Sequence, residues 1–423
     1  MQEHILTGFG FGPVQAGLFV NEAFHSTNFR RIVISEIDAE LVDAITANNG
    51  SYYVNIAKAN GIEAVKIEGI KIFNPDVEEG RNALIEALSR STEIVTSLPS
   101  VSFYDVTNNS AASLIARGLQ NHKADATIIY TAENNNHAGQ ILEEAVTKKL
   151  NKPLSDRVQF LNTVIGKMSR IVTNPQQINQ KNLTPIAPGA DKAFLVEEFN
   201  KILVTKCDID GFKPGIEVFL EKDDLLPFEE AKLYGHNAIH TLLAYLGACK
   251  NYTKMKEIKN DEKIMKTARD AFINESGAAL TKKYSHLNDQ LFTQAGYEIY
   301  AEDLLERMTN PYLDDTIERA GRDPVRKLGL YDRIFGTMSL ALQQNIKPVN
   351  MALGAIAGVA FLLQRAHENN LPDDLRFEDW RKVNDTEIKE ILHWIWANAD
   401  NKYTTGLIKY VQEAKEHLIN LLD

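Results

Sequence analysis

Lys232, His236, Asn237 and His240 lie in one short run, Lys232-Leu233-Tyr234-Gly235-His236-Asn237-Ala238-Ile239-His240, with Glu229 and Glu230 just ahead of it. An amine, an amide, imidazoles and carboxylates this close together can move a proton and hold a developing negative charge. At about 100° per residue of an α-helix, Glu229, Lys232, His236, Asn237 and His240 fall within roughly 140° of arc. That sector is polar apart from Leu233 and Leu243, inside a segment otherwise rich in Leu, Ile, Ala and Tyr. A helix burying such a stripe must give it partners, because unpaired buried polar groups are expensive. A ligand is one kind of partner.

Two chemistries fit the stripe if a carbinol carbon is to lose a hydride. His236 and His240, four residues apart, can in principle ligate zinc, with Glu229 as a third ligand. No cysteine lies nearby and no HExxH pattern is present. Alternatively Lys232 acts as base with a pKa depressed by desolvation or a nearby cation, while Asn237 and His240 donate to the oxyanion. The plain alternative is a solvated lysine with packing histidines.

A second constellation opens the chain. Gly8 precedes Gly10-Phe11-Gly12-Pro13-Val14-Gln15-Ala16-Gly17, which follows a predicted strand and starts a predicted helix. Glycines are needed where a turn demands positive φ and a pyrophosphate approaches bare backbone at a helix N-terminus. Glu36 ends the next strand, where a carboxylate grips an adenosine 2′-hydroxyl and repels a 2′-phosphate. NAD is therefore favoured over NADP. The competing reading is a glycine turn beside a solvated strand end.

These groups need elements to hold them. Strand-like runs at His4–Thr7, Arg31–Ser35, Ala64–Phe73, Ile94–Leu98 and Ala126–Tyr130 alternate with helical runs at Asp38–Asn48, Arg81–Arg90 and Ser110–His122. The Glu63–Phe73 stretch, which contains Gly69, also reads as a strand pair. Such alternation predicts a parallel sheet covered by helices. From Leu225 onward long helical periods dominate: Phe228–Leu246, Lys254–Glu275, Gln294–Met308, Leu330–Gln343, Met351–His367, Asp385–Ala397 and Thr404–Leu422. The expected class is α/β, with a Rossmann-like parallel-sheet domain for dinucleotide binding at residues 1–224. An all-helical substrate and catalytic domain would occupy residues 225–423.

A net charge of −11 argues against nucleic acid or an anionic membrane as partner. No run approaches the length of a membrane span, and the N-terminus lacks a secretory pattern. The two cysteines, Cys207 and Cys249, support neither a disulfide framework nor a thiolate metal site. A cytoplasmic soluble protein is expected by elimination.

Lys232-x4-Asn237-x2-His240 resembles the signature of the polyol-specific long-chain dehydrogenases, the mannitol dehydrogenase family. Arg307-Met308-Thr309-Asn310-Pro311-Tyr312-Leu313-Asp314-Asp315, then Glu318-Arg319-Ala320-Gly321-Arg322-Asp323-Pro324-Val325-Arg326-Lys327-Leu328, is similar to its shorter, polyol-phosphate branch. Ala132-Glu133-Asn134 and Pro227-Phe228-Glu229-Glu230-Ala231-Lys232-Leu233-Tyr234 agree with it too. The resemblance implies a zinc-independent, NAD-dependent enzyme with its active site in a cleft between two domains. It places the general base on Lys232, carbonyl polarisation on Asn237 and His240, and a proton-passing acid on Glu229 or Glu230. Gly8, Gly10, Gly12, Gly17, Glu36, Glu133 and Asn134 are the candidate cofactor residues. His236, Arg307, Asn310, Arg322, Arg326 and Lys327 are the candidate substrate residues. A monomer or small homo-oligomer is expected.

This chain departs from the family pattern at Ser169, where Asp is usual, at Pro13-Val14-Gln15, and at Asn135-Asn136-His137 after Asn134. Those changes leave the polyol open. Arg319, Arg322, Arg326 and Lys327 concentrate positive charge suited to a phosphate. Arg319, Arg322 and Arg326 share a helix face if Pro324 does not break it, and pairing with local carboxylates is the competing reading. The leading expectation is interconversion of a sugar alcohol phosphate and its ketose, mannitol 1-phosphate to fructose 6-phosphate being the nearest reading. A hexuronate reductase, a dehydrogenase of free polyols, and an epimerase or lyase using bound NAD without net redox are the alternatives. A dinucleotide binder without catalysis is disfavoured by the intact Lys, Asn and His set.

Overall fold

Strand β1 (His4–Phe9) lies inside an eight-stranded sheet, third from one edge, in the computed structural model, which describes residues 4–58, 60–198 and 202–423. The other strands are β2 (Phe29–Ser35), β3 (Tyr52–Lys58), β4 (Gly61–Ile67), β5 (Lys71–Phe73), β6 (Glu93–Thr96), β7 (Thr127–Thr131), β8 (Val158–Val164), β9 (Ser169–Val172), β10 (Ala193–Glu197), β11 (Ile202–Thr205) and β12 (Phe219–Lys222). The larger sheet is ordered β12-β11-β8-β7-β6-β1-β2-β5. Its stretch from β5 to β8 is parallel throughout, and β1 adjoins both β2 and β6, which makes it the point where the strand order reverses. That is the order of dinucleotide-binding sheets, whose ligands sit at this switch point.

Side-chain alternation explains why the sheet is covered on both faces. Leu6, Ile32, Ile34, Val95, Ile128 and Tyr130 enter one core. Val33, Ile94 and Ile129 enter another, closed by Leu84, Leu88, Leu114 and Leu142. Those leucines belong to helices Glu78–Arg90, Ala111–Gln120 and Ala138–Thr147.

A second sheet, β4-β3-β10-β9, was not expected from sequence. The Glu63–Phe73 stretch divides between the two sheets: β4 pairs antiparallel with β3, and β5 pairs with β2. The small sheet supports the helix after the glycine turn. Tyr52 Oη donates to the Ala16 carbonyl at 2.7 Å, and the missing Cβ of Gly17 admits Val196 of β10.

The chain divides after Leu226 into two compact units. In the second, no strand occurs among the described residues. Helix Ala238–Cys249 is apolar on all sides, with Ile239, Leu242, Leu243, Tyr245 and Leu246 buried, as expected of a helix at the middle of a bundle. Val349–Leu363 packs along it, with Gly354 against Leu242 and Gly358 against Tyr245. Glu275 accepts from the amides of Asn350 and Met351 at 2.7 and 2.8 Å, placing a carboxylate at that helix's N-terminus.

The expected single helix Lys254–Glu275 is divided into Met255–Ile258, Glu262–Asp270 and the π-helical turn Ala271–Gly277. Asp261 restarts it by accepting from the Ile264 amide at 3.1 Å. The expected face shared by Arg319, Arg322 and Arg326 does not form. Helix Ile317–Gly321 ends at Arg322, Asp323 adopts φ +61°, and a new turn begins at Pro324. Proline excludes the helical region for the residue before it.

Candidate active site

The glycine turn follows β1. Gly10 has φ +79°, and a Cβ there would stand 2.8 Å from the Ser97 carbonyl oxygen. Nothing lies within 4 Å of the Cβ position at Gly12, so bare backbone faces open space. Pro13 stands first in the helix, where its missing N–H costs nothing. Gly8 and Gly17, also candidate cofactor residues, are closely packed. Their missing side chains make room for Gln15 and Val196, at 2.1 and 2.5 Å from the respective Cβ positions.

Glu36 stands at the end of β2. Its Oε2 accepts from the Phe11 amide at 2.6 Å, and Oε1 accepts from Ile37 and Asp38 at 2.7 and 2.9 Å. The carboxylate is thereby fixed against the turn itself. Glu133, a candidate cofactor contact, is buried. It accepts from the Leu98 amide at 2.8 Å, Thr96 Oγ1 at 2.9 Å and Tyr104 Oη. Burial raises its pKa against those donors. Its position is that of a clamp on the β6 and β7 ends, while Asn134 beside it is exposed.

In the second unit the candidate stripe is not wholly α-helical. Leu226–Glu230 and Ala238–Cys249 flank a π-helical turn, Ala231–Asn237, carrying Lys232, His236 and Asn237. The straight-helix wheel therefore does not describe their relative directions. A π-turn opens the hydrogen-bond ladder and recurs at functional sites. Here the Tyr234 carbonyl accepts from Ser276 Oγ at 2.8 Å, and from Thr337 Oγ1 at 3.0 Å, whose one hydrogen is shared with the Arg333 carbonyl at 2.5 Å. Gly235 lets Tyr297 approach, its Oη lying 2.6 Å from the missing Cβ.

Lys232 makes no hydrogen bond or ion pair among the described residues. Burial lowers its pKa to about 8, with Arg333 adding to the effect and Glu229 opposing it. His236 is buried, and burial holds it well below its ordinary value, helped by His240, Arg307, Lys232 and Arg333. It is a neutral imidazole. Asn237 is half-buried and its amide has no partner among the described residues. His240 Nε2 lies 2.8 Å from Asp315 Oδ2, and its ring stands nearly perpendicular to that of His236, 6.4 Å away. No group of three or more His, Cys, Asp or Glu placed to hold a metal occurs among the described residues.

The two candidate acids separate. Glu230 is tied to Lys283 Nζ at 2.6 Å and Tyr284 Oη at 2.6 Å, whereas Glu229 is the one whose charge reaches Lys232. Arg307 donates to Asp303 at 3.0 Å and lies close enough for its charge to act on His236. Asn310 Oδ1 is taken up in a local turn by the Tyr312 amide at 2.9 Å.

The arginine cluster is partly neutralised. Arg319 Nε donates to Asp315 at 2.6 Å, Arg326 to Asp323 and Asp332 at 2.5 and 3.1 Å, and Arg333 to Asp332 at 2.8 Å. Arg322 is exposed without an ionic partner among the described residues. Lys327 is buried, donates only to the Ala320 carbonyl at 2.6 Å, and is pushed down to about 7 by burial and by Arg333, Arg326 and Arg322. Among the described residues, the carboxylates paired with Lys327, Arg322, Arg326 and Arg333 are Asp323 and Asp332, which leaves positive charge in excess there.

Sequence reasoning missed Asp315, Arg333, Ser276 and Thr337. Asp315 closes the Asn310–Asp315 run and Arg333 follows an N-capping Asp332, but the groups they reach in the stripe, His240 and Lys232, are too distant in sequence to signal.

The switch-point sheet with its glycine turn, followed by a helical unit bearing an amine, amide and imidazoles, defines a two-unit dehydrogenase architecture. The chain belongs to the mannitol dehydrogenase family: residues 4–217 match its Rossmann domain and 224–418 its C-terminal domain. Mannitol-1-phosphate 5-dehydrogenase of Geobacillus stearothermophilus is 29% identical over 375 residues, covering 86% of this chain and 87% of that protein. The same-named protein of Buchnera aphidicola (strain Tuc7) is 28% identical over 354 residues, covering 82% and 84%. Among solved structures, a substrate-free D-sorbitol dehydrogenase superposes with a TM-score of 0.74 at 14% identity, covering 98% of this chain and 93% of that one. Pseudomonas fluorescens mannitol 2-dehydrogenase, in complex with NAD and D-mannitol, gives 0.69 at 15% identity, covering 100% and 94%.

Proposed function

We propose that this chain is an NAD-dependent dehydrogenase interconverting a sugar alcohol phosphate and its ketose phosphate, with Lys232 as general base. The observation that carries the reading is Lys232 itself: a lysine brought to about 8 by its surroundings, with neither it nor the nearby Asn237 amide partnered among the described residues. A base poised near neutrality is what removal of a hydroxyl proton requires.

The dinucleotide, when bound, supplies the hydride acceptor. Gly10, Gly12 and the helix beginning at Pro13 fit its pyrophosphate, and Glu36 fits an unphosphorylated ribose. In oxidation, neutral Lys232 takes the proton of the reacting hydroxyl. The Asn237 amide donates to the oxygen as negative charge develops there. Glu229 then relays the proton from Lys232 toward solvent. In reduction the ammonium returns it to the carbonyl oxygen. We assign dinucleotide binding to the first unit and the base to the second.

The excess positive charge around Lys327 and Arg322 supports a phosphate on the substrate, since a dianion there restores the charge on a lysine held near 7. A hexuronate carboxylate would fill the same field less completely. The relatives named for mannitol 1-phosphate favour the phosphate.

Lys232→Ala tests the reading. Turnover should vanish across the pH range while NAD binding stays near normal; retained turnover removes Lys232 from the base role.

A further inference from the structure

Asp315 is buried, with its side chain 3% exposed, and both of its oxygens are engaged. Oδ1 accepts from Arg319 Nε at 2.6 Å and from the Thr316 amide at 2.9 Å. Oδ2 faces His240 Nε2 at 2.8 Å. Burial alone would raise the pKa of this carboxyl, but the contacts to His240 and Arg319 overcome it and hold it below the ordinary carboxylate range. Asp315 is therefore an ionised acceptor with no proton to offer, and the ring nitrogen opposite it must carry one.

From this arrangement we infer that Asp315 is a positioning residue that fixes His240 as the Nε2–H tautomer and leaves Nδ1 as a hydrogen-bond acceptor for the substrate. The inference rests on the dehydrogenase reading above and changes one role within it. In this tautomer His240 receives a substrate hydroxyl at Nδ1 and does not donate to the carbonyl oxygen, a role that then falls to the Asn237 amide. Nδ1 makes no hydrogen bond among the described residues, which leaves it for a ligand. Arg319 and the Thr316 amide hold the carboxylate so that it cannot turn away, and the T-shaped contact with His236 limits the ring from the other side. Assigning a tautomer through the partner on the other nitrogen follows general imidazole chemistry.

Asp315→Asn tests it with almost no change of shape. Arg319 and Thr316 would retain the amide oxygen, so the NH2 would face Nε2 and force that nitrogen to accept. The proton then moves to Nδ1, the inversion known from Asp-to-Asn changes in other His–Asp pairs. Histidine-labelled 15N spectra of the unaltered protein and of Asp315→Asn, assigned by loss of the signal in His240→Gln, report the protonated nitrogen directly. The expected result is Nε2–H in the first and Nδ1–H in the second. Polyol oxidation should fall about 10- to 100-fold in kcat, the scale of a lost and mismatched hydrogen bond, with the NAD Kd unchanged.

Arg319→Met is the companion variant. It keeps the carboxylate, so it should keep the Nε2–H tautomer. The same tautomer in the unaltered protein and Asp315→Asn would overturn the inference. So would an inverted tautomer with unchanged kcat, or an Nδ1–H tautomer in Arg319→Met. An unaltered protein that turns over no polyol would sink the dehydrogenase reading instead, and the spectra would still decide whether Asp315 sets the tautomer.

Discussion

Replacing Lys232 with Met should make the protein more stable at neutral pH and inactive. The fall from 10.5 to about 8 corresponds to about 3 kcal/mol against the charged form, at roughly 1.4 kcal/mol per tenfold change. Below pH 8 the lysine is charged in both folded and unfolded chains, so folding carries that cost in full. As pH rises from 8 to 10.5 the folded chain has already lost the proton that the unfolded chain still holds. Stability contributed by this group therefore increases across that window and levels off above it. Methionine fills the same volume without the charge. Urea unfolding should give Lys232→Met an advantage approaching 3 kcal/mol at pH 7 that shrinks toward zero by about pH 10.5. Rates follow the same titration. With a pKa of about 8, the neutral fraction of Lys232 rises about tenfold between pH 7 and 9 and then levels off, whereas an ordinary lysine would rise about a hundredfold without a plateau. A pH-independent stability difference, or oxidation still climbing in proportion to hydroxide above pH 9, would refute the desolvated-base argument.

Glu36→Ala should weaken NAD and narrow the preference against NADP, read as the ratio of kcat/KM for the two; an unchanged ratio would contradict its assignment. Lys327→Met should raise KM for a ketose phosphate at least tenfold more than for the free ketose, and Arg326→Ala should show the same bias more weakly because Asp323 and Asp332 already engage it. Equal effects on both substrates would place the cluster outside the phosphate site. The double change Ser276→Ala and Thr337→Val removes both hydroxyls from the Tyr234 carbonyl, so kcat should fall with little change in NAD Kd. Full retention of kcat would mean that the π-turn needs no such support.

Much of the architecture is legible because it is written in local periodicity. The alternation of apolar strands and helices announces the parallel sheet, and helix Gln294–Met308 is found with the bounds that its spacing implies. The second sheet is not legible in this way. Its strand β3 finds its partners in β4 and in β10, where Val54 pairs with Phe194, and no short window of sequence contains that pairing. The same holds within the site. The stripe of Lys232, His236, Asn237 and His240 is visible in one run of residues, but the π-turn that sets its directions is supported by Ser276 and Thr337 from other elements. Asp315 stands 75 residues from the histidine it holds. The break at Asp323 could be read from Pro324, and it explains why the arginines do not share a helix face.

The account is tested most directly by following NADH absorbance with purified protein against matched ketoses, fructose and fructose 6-phosphate together with other ketose phosphates and fructuronate. Oxidation with a phosphorylated member and not with its free partner is the predicted result, and it would assign the positive field around Lys327 to the substrate phosphate. Oxidation confined to free sugars or to the uronate would contradict the phosphate reading, and no oxidation with any of them would contradict the proposed dehydrogenase activity toward this substrate class.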